Sequence, residues 1–213
     1  MEQTTLKYLR VLIPGLTFYL GVFPFVKYYF GDSYHIESLD FAYVTVFSLL
    51  AGAIYYQIDL QYLIIQPSRY FIHKNILNRL IAIYGKTVGS SQKTFLEKNE
   101  KYRHVFYHLN DSDESLKRKT NNVYFNGIFW TSSADLLVLS IIFWAFYKWA
   151  FPQVTDSALF SDLFLSLAML SLVLHLLSVR RHIKLSNDQL GFIEIYKKTE
   201  VVKDFDAILQ QMP

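Results

Sequence analysis

The chain has 213 residues and a net charge of +3; 52% of it is hydrophobic, 17% aromatic and only 18% charged. A globular protein carries about 25% charged residues, so this composition points instead to an integral membrane protein. The absence of cysteine excludes disulfides, thiolate metal sites, thiol redox chemistry and S-palmitoylation.

Hydropathy sets out four spans, each long enough at about 1.5 Å per residue to cross a hydrocarbon core of about 30 Å. The first covers residues 11–30, follows Lys7 and Arg10, and ends in Tyr28-Tyr29-Phe30, an aromatic interface signature. It is too long, and too poor in a small-x-small cleavage site, for a removable signal, and is read as a retained span. Pro14-Gly15 and Pro24 predict kinks near its two ends. The loop at 31–40 carries Asp32, Glu37 and Asp40 and no Lys or Arg.

The second span, residues 41–65, is stopped by Gln66-Pro67-Ser68. Ala51-Gly52-Ala53 at its centre permits close approach of another helix. Asp59 reads as a buried acid near its far end, with Tyr55, Tyr56 and Tyr62 as hydrogen-bond donors around it. An excursion follows at 67–122. Ser68 is placed to cap a helix reaching about Tyr84, with Ile72, Ile76, Leu77, Leu80, Ile81 and Ile83 on the apolar side and Arg69, Lys74 and Arg79 on the remainder. Residues 85–91 break it, and a second helix is expected at 94–109. Asp111 and Glu114 are spaced as a capping box that opens a helix running on into span three.

Span three, residues 128–146, contains Asp135 in an otherwise uncharged run and leaves through Trp144, Phe146, Tyr147, Trp149 and Phe151. An ionisable residue at that depth costs about 2.5–3.5 kcal/mol on insertion scales, so it needs a partner or a purpose. After a loop at 152–161, span four covers 159–179 and closes on Arg180-Arg181-His182. The tail, 186–213, places Val201, Val202, Phe205, Ile208 and Leu209 at helical spacing, whereas 190–196 reads as strand or helix. No internal repeat is visible.

The expected fold is therefore an all-α integral membrane protein: four transmembrane helices with a helical cytoplasmic excursion between spans two and three. Its segments are a first helix pair (1–66), the excursion (67–122), a second helix pair (123–185) and a cytoplasmic tail (186–213). Every Lys and Arg except Lys27 and Lys148 lies on one side of this arrangement. The positive-inside rule makes that side, with both termini, cytoplasmic, as in a bacterial inner-membrane protein.

Each span carries one polar or small face at helical spacing. Span one offers Arg10, Pro14, Thr17, Gly21 and Pro24; span two Thr45, Ser48, Gly52, Tyr55 and Asp59. Span three offers Gly127, Thr131 and Asp135; span four Ser171, His175, Ser178 and His182. Counting from the cytoplasmic edge puts Asp135 about 11 Å deep, Asp59 about 9 Å and His175 about 6 Å, a level that Arg10 also reaches. Arg10, Tyr55, Asp59, Thr131, Asp135 and His175 thus form a candidate intramembrane polar cluster. Three readings stand: a polar cluster that fixes helix register, a cation- or proton-responsive site on a permeation or gating path, or acids that face separate cavities.

Other chemistry finds little footing. Gly85-Lys86-Thr87 lacks the glycine of a phosphate loop at the position held by Leu80. His104 and His108 share a helix face near Asp111 but lack a third strong metal ligand. Neither His-Glu-x-x-His nor Gly-x-Ser-x-Gly occurs, so no enzyme, catalytic residue, metal or cofactor is expected. Arg69, Lys74, Arg79, Lys117, Arg118 and Lys119 are read as topology signals that also touch anionic headgroups, or as a docking face for a soluble cytoplasmic protein; no nucleic-acid module matches.

Four short spans enclose little in one subunit, and their small-residue faces favour a homo-oligomer, a dimer to tetramer. The leading expectation is an oligomeric inner-membrane protein with a cytoplasmic sensing or docking layer, acting as a channel-like or membrane-perturbing element. The alternatives are a non-conducting membrane anchor or sensor that recruits a soluble partner, as accessory proteins of bacterial phage defence do, and a small proton-coupled transporter using Asp135.

Overall fold

The computed structural model describes the backbone of residues 3–31, 41–98 and 100–212, and the side chains among them except those of residues 3–7 and 41. Helix is the dominant structure of these residues, and no strand occurs among them: α1 (Gln3–Phe30), α2 (Phe41–Ile58), α3 (Tyr62–Tyr84), α4 (Ser90–Lys98), α5 (Lys101–Ser112), α6 (Glu114–Ala145), α7 (Ser157–Tyr196) and α8 (Lys198–Leu209). A π-helical turn, Phe146–Ala150, extends α6. The acidic residues Asp32, Glu37 and Asp40 of the first loop lie outside the described residues.

Among the described residues, three helices are long and apolar enough to cross a membrane, within Tyr8–Phe30, Glu114–Ala150 and Ser157–Tyr196. The count becomes four if α2 and α3, bent by 61° where they meet, are taken as one broken span. That break corrects the sequence reading. The helix of span two does not run on to a stop at Pro67; it ends at Ile58, where Asp59 takes a left-handed backbone (φ 55°) that Asp tolerates better than most residues. Pro67 and Ser68 both lie inside α3, so Ser68 is not its N-cap.

Two further helix ends differ. The expected helix at 94–109 is two helices, α4 and α5, parted at Glu100, whose φ of 49° is incompatible with continuation. Asp111 belongs to α5; the cap of α6 is Asp113, whose Oδ1 accepts from the backbone N–H groups of Ser115 (2.8 Å) and Leu116 (3.2 Å). Those are the second and third amides of the helix, the ones an N-cap side chain serves. The stretch 190–196 is helical, because α7 continues through Arg180-Arg181-His182 to Tyr196.

The chain forms two compact units. The first comprises Met1–Gln66 and Ile128–Ser178, the second Pro67–Gly127 and Val179–Pro213. In the first, α1 and α2 touch backbone to backbone: a Cβ on Gly15 would overlap the Ser48 carbonyl oxygen, and one on Gly52 that of Val11. Only glycine allows this approach. These small-residue faces are therefore occupied within the chain itself. Pro24 breaks the helical ladder of α1, and on the same turn the buried Tyr147 hydroxyl donates to the Gly21 carbonyl at 2.6 Å. Phe143, Tyr147, Phe160 and Phe164 form an aromatic core beside it, with centroids 5.2–6.2 Å apart.

The second unit is built conventionally. Leu77, Leu80, Leu96, Leu109, Leu116, Leu190, Ile193, Val201 and Phe205 are buried in it, drawn from α3, α4, α5, α6, α7 and α8. Buried Gln189 donates to Asn110 (3.1 Å) and Thr120 (2.8 Å), tying α7 to α5 and α6. Tyr84 and Lys86 both donate to Asp206, at 2.5 Å and 2.6 Å, and fasten α8 to the end of α3.

Candidate intramembrane polar site

The first unit hides polar groups and shows apolar ones. Thr17, Ser48, Gln61, Thr131, Ser132, Ser133, Asp135 and Ser140 are buried in it, as are Ser161, Ser171, His175 and Ser178. Leu50, Ile54, Leu163, Met169, Leu170, Val173, Leu176 and Leu177 are exposed. A helix surface of this kind suits hydrocarbon, where buried hydroxyls bond within or between helices instead of to water.

Asp135, on α6, is 3% exposed, and its Oδ1 is buried without a hydrogen-bond partner among the described residues. Both Arg10 and Asp59 lie within electrostatic reach of it, the first attractive and the second repulsive. Tyr55, buried on α2, feels both acids, and its hydroxyl also lacks a hydrogen-bond partner among the described residues. Asp135 then shares its helix face with Leu139, Phe143 and Tyr147, all buried, at successive four-residue steps. Along that face the polar site gives way to the aromatic core.

The other members are placed less simply. Asp59 was read as a buried acid; instead it is exposed at the α2–α3 break, where its carboxylate accepts from Gln61 Nε2 at 2.6 Å. A helix that ends at Ile58 leaves the next side chain on its rim. Arg10 is half-buried and stacks its guanidinium over the Tyr56 ring, 5.2 Å from the centroid. Buried His175 turns to α6, with Nδ1 3.2 Å from the Trp130 carbonyl oxygen and 3.3 Å from Ser133 Oγ. The carbonyl requires Nδ1 to carry the proton and donate. His175 bonds neither acid, and Thr131 Oγ1 donates back to the Ile128 carbonyl at 3.2 Å.

The structure thus brings Arg10, Tyr55, Asp59 and Asp135 into one electrostatic group and gives His175 to Ser133. Sequence reasoning missed Ser132, Ser133, Ser140, Ser161 and Gln61. Spacing offered a signal for some: Ser133 and Ser140 are seven apart, and Ser161, Ser171, His175 and Ser178 keep one face of α7.

The basic residues of the second unit divide in two. Arg69 pairs with Glu100 at 3.7 Å, Arg79 with Glu194 at 3.4 Å, and Lys74 lies against Tyr70. Lys117, Arg118 and Lys119 make no ion pair among the described residues. His108 faces Asp204 at 3.1 Å, and no group of three metal-ligating side chains occurs among the described residues. Burial pushes both His73 and His182 down to about 4; His73 is lowered further by Arg103, Arg69 and His182, against a raising contribution from Glu100.

No protein-family model, curated protein or solved structure matches this chain.

Proposed function

We propose that this is a bacterial inner-membrane protein, with both termini and the second unit cytoplasmic, in which the Asp135 group is a cation- or proton-responsive site on a channel-like path. The observation that carries the reading is the buried Asp135 Oδ1 without a hydrogen-bond partner among the described residues. An open acceptor in such a place costs about 1–3 kcal/mol, which a cation, a proton or a water would relieve. Arg10 and Asp59 supply opposed charges beside it, and the aromatic face beyond Leu139 supports a path closed at rest. The second unit is the layer that would receive a signal. Homo-oligomer formation, dimer to tetramer, would rest on the exposed apolar face of α7, since Gly15 and Gly52 are occupied inside the subunit.

Currents across planar bilayers containing the purified full chain test this. The Asp135→Asn variant is expected to assemble normally and lose at least about tenfold in conductance, the scale of about 1.4 kcal/mol. A silent wild type at every voltage and pH tried, or an unaffected variant, would sink the proposal.

A non-conducting anchor that recruits a soluble protein is the second reading, favoured by the self-sufficient core of the second unit and by exposed Ile195 and Tyr196 at the end of α7. Changing both to Asp should abolish partner capture while membrane insertion stays intact; unchanged capture would reject it.

A further inference from the structure

We propose that Arg180, Arg181 and Lys184 on α7, with the exposed rings of Tyr70, Phe71 and Tyr124, form a binding girdle for the headgroups of anionic phospholipids. The inference rests on the membrane reading above but not on conduction. Five of the seventeen cations of the second unit are answered by acids: Arg69 and Arg103 by Glu100, Arg79 by Glu194, Lys86 by Asp206 and Lys197 by Glu200. Arg180, Arg181 and Lys184 are exposed and make no ion pair among the described residues.

Their position along the chain fits one layer. The second unit takes up α7 at Val179, and Arg180 to Lys184 follow within about 8 Å of helix rise. Tyr70 and Phe71 stand as close to the start of its α3 segment at Pro67, and Tyr124 to the end of its α6 segment at Gly127. All three rings are more than half exposed. Large rings so exposed suit a headgroup layer, where the ring meets acyl chain and the hydroxyl meets water. Guanidinium groups there match a phosphodiester in fork geometry. Lys117 to Lys119 stand about 12–15 Å from the end of their segment at Gly127, beyond a Debye length of about 8 Å, and are assigned no part.

The test uses the full chain in detergent, stripped of lipid, with dioleoylphosphatidylglycerol, dioleoylphosphatidylcholine or inorganic phosphate added and binding followed by native mass spectrometry. Phosphatidylglycerol is expected to bind and the other two not. A basic residue near a lipid surface is worth about fivefold in affinity, so Lys184→Gln should weaken binding about fivefold and Arg180→Gln with Arg181→Gln about thirtyfold. Arg79→Gln, which breaks a distal ion pair, should leave it unchanged. Equal binding of phosphatidylcholine, competition by inorganic phosphate, or wild-type affinity in the double variant would overturn the proposal. Extraction of the chain from membranes by alkaline carbonate would defeat the membrane reading itself, whereas a chain that resists extraction yet ignores phosphatidylglycerol defeats this inference alone.

Discussion

Helix α7 belongs to both units, and its two parts bury different chemistry. Up to Ser178 it hides Ser161, Ser171, His175 and Ser178 alongside Phe164 and Ala168, and it exposes Leu170, Val173, Leu176 and Leu177. Beyond Val179 it hides Leu190 and Ile193 with Ser186 and Gln189, and it exposes Arg180, Arg181, Lys184 and Glu194. Helical periodicity chooses the buried face in each part of one continuous backbone. What changes is the outer face, apolar in the first part and charged in the second. Hydropathy therefore reports the outer face, and periodicity reports the packing; neither substitutes for the other.

The largest effects should come from cutting into the conventional core. Phe205→Ala removes a fully buried ring and should cost the second unit about 3–5 kcal/mol, read as faster amide exchange in α3 and α8. Leu170→Ala, at a position 65% exposed, should leave stability in a bilayer nearly unchanged. An equally large loss at Leu170 would mean that the outer face of α7 is covered, and the contrast between the units would fail. Charge sharpens the same comparison. Leu170→Lys should cost about 2.5–3.5 kcal/mol in a translocon insertion assay, whereas Ile195→Lys, as exposed but in the second unit, should stay within about 0.5 kcal/mol.

The elements legible in the sequence were those fixed by composition over many residues: the apolar runs of α1, α6 and α7, and the apolar positions of α3, of which Ile72, Ile76, Leu77, Leu80 and Ile83 are buried and Ile81 is half-buried. What escaped was set by single residues. Asp59 and Pro67 exchanged roles, because a proline suppresses only one backbone bond whereas a left-handed residue turns the chain. Spacing alone put the cap of α6 at Asp111, and only the geometry of Asp113, two residues on, shows which acid serves the first amides. For the site, helical spacing assigned Asp135 and His175 to polar faces, but a wheel does not say which neighbour a face meets. That is why His175 was grouped with the acids and is found on Ser133.

Glycine draws a finer line. Gly52→Ala places a methyl group against the Val11 carbonyl, where neither backbone has room to yield. A loss of about 1–3 kcal/mol is expected, visible as a lower unfolding temperature in mixed micelles. A neutral outcome would mean that α1 and α2 part without cost.

Acid should separate the units by a smaller margin. His73 and His182 titrate near 4 in the folded second unit and near 6.5 when unfolded, so the unfolded chain binds more protons between those values. Stability of the second unit should fall as pH drops through 6.5 and stop falling below about 4. The groups facing His73 are Arg69, Glu100, Arg103, Tyr102 and His182. Limited proteolysis in urea across this pH range should find the decline in the wild type and a flatter profile in His73→Gln with His182→Gln; identical profiles would remove the two imidazoles from the account.

The smallest effect is also the one of opposite sign. Gly191 lies inside α7 in the second unit, and a Cβ there would meet nothing within 4 Å. No close approach explains this glycine, so it carries only the entropic cost of an unrestrained backbone. Gly191→Ala should therefore stabilise the second unit by about 0.5–1 kcal/mol, a rise in its unfolding temperature of a few degrees. Gly52 and Gly191 are both glycines in the middle of a helix, yet one is required by a neighbouring backbone and the other is not. If Gly191→Ala proves destabilising, something outside the described contacts must approach α7 at that turn, and the second unit would be less self-contained than its core implies.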